Sequence, residues 1–160
     1  MAHKLTIREM LLKHHTIFEK SAVESIGSLF QKEFSIREPW QVTTRLEGKF
    51  HHIFSLGSGD EKFQSLIVIG INNSHLHAIM ESDNKEELLD AFGEVCNIYS
   101  GILSDYTEIT DYFGYLRQSV PQYTNEEVFF PKVWAINGKV FCEDNWLYFG
   151  CALRPASSID

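Results

Sequence analysis

Hydrophobic positions recur along this chain with two different periods. From His15 to Phe34 the spacing is helical, with Ile17, Phe18, Ala22, Ile26, Leu29 and Phe30 on one apolar stripe. That range predicts a long amphipathic helix, and Thr6-Ile7-Arg8-Glu9 has the capping-box spacing of a short helix ahead of it. From Trp40 the period drops towards two. Val42, Thr44 and Leu46, then Phe50, Ile53 and Phe54, suggest a strand. Beyond a turn cluster at Gly57-Ser58-Gly59-Asp60, Phe63 to Ile71 reads as a buried strand, and the two segments are expected to pair as an antiparallel hairpin. Asn72-Asn73-Ser74 starts a short helix through Met80, and Asn84-Lys85-Glu86-Glu87 has the spacing that opens a long one. Asp105 to Leu116 reads as a further helix, with Pro121 as a breaker. Val128 to Arg154 is aromatic and β-branched and predicts two or three strands, with turns at Asn137-Gly138 and Glu143-Asp144-Asn145. This order of helix, strands, helix, strands predicts an α+β fold, an antiparallel sheet flanked by helices. One domain over residues 1–160 is expected, with residues 1–14 as a helical extension.

Composition and charge narrow the function classes. At 160 residues, 44% hydrophobic and 22% charged, the chain can bury a core without disulfides or a structural metal. Twenty-two Asp and Glu against fourteen Lys and Arg give a net charge of −8, and no basic stripe is visible. Nucleic-acid and anionic-membrane partners are therefore not expected. The longest nearly apolar run, Leu66 to Ile71, is too short to cross a bilayer, and charges interrupt the first ten residues, so a cytoplasmic protein is expected. Cys96, Cys142 and Cys151 lack metal-ligand or redox spacing and read as reduced, buried thiols. A Cys142–Cys151 disulfide is the alternative.

The informative segment is Glu86 to Leu103. At about 100° per residue, Leu88, Phe92, Val95, Tyr99 and Ile102 share a core face, while Glu87, Asp90, Glu94, Asn97 and Gly101 cluster opposite. Glu94 and Asn97 lie three apart, so a carboxylate and a carboxamide stand side by side. Gly93 and Gly101 each cost about 1 kcal/mol of helix stability relative to Ala. They serve either tight packing inside the domain or the approach of another backbone.

Asp90-Ala91-Phe92-Gly93-Glu94-Val95-Cys96-Asn97-Ile98-Tyr99-Ser100-Gly101 resembles the helix signature of the CheC/CheX/FliY phosphatases of bacterial chemotaxis. The preceding strand Leu66–Ile71 and the segment Phe130-Pro131-Lys132-Val133-Trp134-Ala135-Ile136-Asn137-Gly138 are similar to that family's too. The resemblance implies a CheC-like fold and hydrolysis of the aspartyl phosphate of a CheY-like receiver. It places Asn97 as the residue that orients the attacking water and Glu94 as the one that docks on the receiver's lysine. No cofactor of its own is implied, since Mg²⁺ is expected in the receiver. On the earlier helix, Ala22-Val23-Glu24-Ser25-Ile26-Gly27 has Gly27 where a second Asn would stand. A single motif resembles the CheX type, whose members form homodimers.

A second reading is a non-catalytic CheC-like interaction module in signalling or motility, suggested by the long Asp105–Thr124 segment and the short tail after Pro131. A small-ligand sensor with an aromatic pocket is a third. The pairs His14-His15, His51-His52 and His75-Leu76-His77 lack metal-site spacing, so no metal is expected.

Overall fold

The computed structural model describes residues 4–59, 62–113 and 119–155. Thr6 caps α1 (Ile7–Lys13) with both halves of a capping box: its hydroxyl accepts from the Glu9 amide and the Glu9 carboxylate accepts from the Thr6 amide. Met10 and Leu11 of α1 are fully buried in the same core as the later helices. The long helix α2 (His15–Phe30) stops four residues short of the predicted Phe34. Gln31 takes a left-handed conformation at φ 53°, its amide bonding Gly27 O, and turns the chain so that Phe34 reaches the core from outside the helix.

The sheet has six strands, all antiparallel, in the order β1-β5-β6-β3-β2-β4. Its centre is β3 (Phe63–Ile71) paired with β2 (His52–Gly59) and with β6 (Asn145–Pro155). The expected hairpin forms, but Trp40–Leu46 is not part of it. That segment contributes β1 (Gln41–Thr43), which pairs with β5 (Ala135–Cys142) at the opposite edge. Gly57, Ser58 and Gly59 belong to β2 rather than to a turn, and Asp60 lies outside the described residues. Val128–Arg154 yields two strands, and Glu143-Asp144 is the turn between them. Asn137-Gly138 is interior to β5, where a Cβ on Gly138 would lie 2.2 Å from Trp40 Cδ1. The glycine is there for the indole, not for a turn.

Side chains alternate along the strands. Ile67, Ile69 and Ile71 with Leu147, Phe149 and Cys151 face the helices, while Val68, Tyr148 and Ala152 face a smaller core closed by Leu46 and Phe130. On the helical side α3 (Asn73–Ile79) packs on β6, and α4 (Lys85–Leu103) lies against α2 and β2. The predicted Asp105–Leu116 helix is observed as α5 (Thr107–Phe113), and residues 114–118 lie outside those described. Beyond them comes an edge strand the periodicity did not predict, β4 (Gln122–Thr124), paired with β2.

Cys96, Cys142 and Cys151 are all free and buried. Cys151 pairs with Ile136, six residues along β5 from Cys142, which puts the two thiols about 20 Å apart and excludes the alternative disulfide. Among the described residues no helix is long and apolar enough to cross a membrane.

Candidate functional site

Asn84 opens α4, its side-chain oxygen accepting from the amides of Glu86 and Glu87 at 2.9 and 3.1 Å. Only half of the predicted box forms, because the Glu87 carboxylate accepts from the Ser82 hydroxyl instead of the cap. Leu88, Phe92, Val95 and Tyr99 are fully buried. Phe92 stacks on Phe54 of β2 at 4.8 Å and meets Phe30 of α2 at 5.3 Å. The Tyr99 hydroxyl donates to Phe18 O at 3.1 Å, fixing α4 to α2. These contacts set the rotation of the helix about its own axis, and so determine what the other face shows.

That other face carries Glu86, Glu87, Asp90, Glu94 and Gly101, all exposed, with Asn97 half-buried among them. Neither the Glu94 carboxylate nor the Asn97 carboxamide makes a hydrogen bond or ion pair with another described residue. The two side chains are neighbours on the helix surface, and each keeps its full bonding capacity for an incoming molecule. Cys96, between them in sequence, points into the core, where burial pushes its thiol pKa up to about 12. It is no nucleophile.

The two glycines have different surroundings. A Cβ on Gly93 would come within 2.9 Å of Pro121 Cβ and 3.6 Å of Leu89 Cδ1, whereas one on Gly101 would meet nothing within 4 Å. Gly93 thus serves internal packing. Gly101 serves none, and it leaves helix backbone bare one turn beyond Asn97. The segment after α5 therefore reaches α4 through Pro121 at Gly93, one turn short of the amide. Sequence reasoning missed this contact, since nothing in the spacing ties residue 121 to residue 93.

The other motif position differs. Glu24 is exposed, but Gly27 is half-buried and lines an open groove of about 840 Å³ with Val23, Lys32, Phe34, Cys142 and Asn145. Phe34 is its one aromatic lining residue, so it is not the aromatic pocket of the sensor reading. His51, His52 and His75 have local partners. His51 Nδ1 accepts from the Asn73 amide, and His52 bridges the Tyr123 hydroxyl at 2.7 Å and Asn73 Oδ1 at 2.6 Å. His75 Nδ1 lies 3.2 Å from Asn145 Oδ1. Among the described residues no three His, Cys, Asp or Glu converge to hold a metal ion.

No protein-family profile matches the chain, and no curated protein matches it either. Solved structures do. CheX from Desulfovibrio desulfuricans superposes with a TM-score of 0.62 at 14% identity, covering 91% of this chain and 99% of that one. A CheX–CheY–BeF₃–Mg²⁺ complex from Borrelia burgdorferi matches with a TM-score of 0.56 at 13% identity, covering 87% and 96%. The FliM middle domain from H. pylori matches with a TM-score of 0.56 at 14% identity, covering 96% of each chain. The fold is that of the CheX and CheC-like chemotaxis proteins.

Proposed function

We propose that this protein is a CheX-like phosphatase that hydrolyses the aspartyl phosphate of a CheY-like receiver. The observation that carries the reading is the α4 face, where exposed Glu94 and half-buried Asn97 stand unpartnered beside the bare backbone at Gly101. Fold alone does not decide, because the same architecture is found in CheX and in FliM. The match to a CheX structure solved with CheY, BeF₃ and Mg²⁺ supports a receiver as the partner.

The chemistry asks little of this chain. A phosphorylated receiver supplies its own Mg²⁺ and lysine, which stabilise charge on the phosphoryl group. What is missing is an ordered nucleophile. The Asn97 amide holds a water in line with phosphorus, accepting a hydrogen bond from it through Oδ1 or donating one to it through Nδ2. The water oxygen bonds to phosphorus as the bond to the aspartyl oxygen breaks. The aspartate leaves as a carboxylate, and the proton passes to the phosphate. The amide itself neither gains nor loses a proton. Glu94 pairs with the receiver's lysine and fixes the approach. A single motif resembles the CheX type, whose members form homodimers, so a homodimer belongs to the same proposal.

Asn97→Ala tests the mechanism. Receiver dephosphorylation should slow by about 100-fold or more, while the circular dichroism spectrum and receiver binding stay those of the parent. Equal phosphate-release rates for the two proteins would reject it. The second reading, a binding module without hydrolysis, draws on the FliM match and on the segment that laps α4 one turn from Asn97. It predicts receiver or motility-protein binding with no change in phosphate lifetime, which the same time course reads directly.

A further inference from the structure

We infer that Leu89 and Pro121 form an apolar contact spot beside Asn97 that takes a nonpolar side chain of the docking receiver, so that receiver recognition extends beyond the Glu94–Asn97 pair. The inference rests on the reading of the α4 face as a receiver-docking surface. It starts from Gly93, which is buried although it lies only about 40° around the helix from Asn97, on the outward side. What buries it is Pro121, whose ring carbons lie 2.9 and 3.2 Å from the position of a Cβ there, with Leu89 Cδ1 at 3.6 Å. Two half-buried apolar side chains, Leu89 also packing against the main core, therefore converge over the Gly93 backbone, one turn before the amide.

This spot is held from behind. Tyr123 packs on Phe54 at 5.2 Å, its hydroxyl bonds His52, and Lys85 lies over its ring. On the other side of Pro121, the Ser119 hydroxyl donates to Gly57 O. The chain from Ser119 to Tyr123 is pinned at both ends, so Pro121 is a fixed wall rather than a loose flap. Lys85, Leu89, Gly93 and Asn97 are spaced four apart and form one ridge of α4 running along this wall. A receiver that reaches Asn97 must lie against that ridge. The rest of the face, with Glu86, Glu87, Asp90 and Glu94, is acidic. The occupant that fits is a receiver whose phosphorylated aspartate is flanked by a cationic group on one side and a nonpolar side chain on the other.

Leu89→Gln keeps helix propensity and removes the apolar contact, and Leu89→Met retains it. The probes are the CheY-type receivers of the source genome, loaded with beryllofluoride and Mg²⁺ for binding and phosphorylated for turnover. Leu89→Gln should raise Kd and KM about tenfold with kcat unchanged, and Leu89→Met should restore both. Wild-type Kd and KM in Leu89→Gln, alongside lost turnover in Asn97→Ala, would overturn the apolar spot and leave the phosphatase reading standing. A wild-type protein that neither binds nor dephosphorylates any of these receivers would overturn that reading and the spot with it.

Discussion

Gly93 and Gly101 sit eight residues apart on α4, and the same substitution should act on them with opposite sign. At Gly101 an added methyl meets open space, so Gly101→Ala relieves only the helix penalty and should stabilise the protein by about 1 kcal/mol, raising Tm by about 2–4 °C. On the proposed function its receiver turnover should fall at the same time, because the methyl would stand where a docking receiver's backbone would come close. At Gly93 the methyl would press on Pro121 at 2.9 Å. Overpacking costs about 1–3 kcal/mol, which exceeds the helix gain, so Gly93→Ala should lower Tm. Thermal melts of the two variants check both signs. The sequence makes both glycines conspicuous as helix breakers kept inside a helix, but one-dimensional spacing cannot show which has a neighbour. The same holds for Asn97. Its place beside Glu94 follows from the helical period, whereas the approach of Pro121 to Gly93, one turn short of it, is set by chain far along the sequence.

Elements were legible where their own residues decide their form. The caps at Thr6 and Asn84 are local chemistry, and α1 and α4 begin where those residues place them. The buried run of β3 and the closing turn at Glu143-Asp144 are local in the same sense. What failed was decided at a distance. The period predicts β1 as a strand, but in the hairpin rather than beside β5, and does not predict β4; each spans three residues and pairs along the edge that β5 or β2 offers. Helix α2 ends at Gln31 without the usual glycine, so no breaker marks the boundary. Asn137-Gly138 carries a hairpin signature, yet the glycine answers to Trp40, nearly a hundred residues earlier, whose indole N–H donates to Lys139 O at 3.2 Å. A Cβ there cannot be accommodated by a small shift, since the obstacle is a ring buried to 5% exposure. Gly138→Ala should therefore destabilise the protein by about 1–3 kcal/mol, seen as a lower urea midpoint followed by tryptophan fluorescence. An unchanged midpoint would mean that β5 and the chain before β1 do not pack as described.

Across the whole molecule, burial disfavours ionisation of two thiols and two phenols, and this sets where stability is lost at alkaline pH. Burial raises the Cys96 thiol to about 12 and pushes Cys151 higher still, and it raises the hydroxyls of Tyr99 and Tyr148 as well. In the unfolded chain the same thiols ionise near pH 8.5 and the phenols near pH 10. The folded state keeps protons that the unfolded state gives up, so stability is full below about pH 8.5 and falls as pH rises towards the folded values. Cys96 and Cys151 should each remove about 1.4 kcal/mol per pH unit above that point, with the tyrosines adding to the slope beyond pH 10. Urea unfolding under reducing conditions between pH 7 and 10.5 reads the effect as a falling midpoint. Cys96→Ala with Cys151→Ala should flatten the curve between pH 8.5 and 10 and leave only the tyrosines' part of the fall above it. Asn97 has no titrating group, so the alkaline loss of receiver dephosphorylation in the wild type should follow the unfolded fraction once the receiver's own pH dependence is divided out. In the double variant it should shift to higher pH with the unfolding curve. An activity loss that stayed put in that variant would place a titrating group in the reaction itself and contradict the assignment of water orientation to a neutral amide.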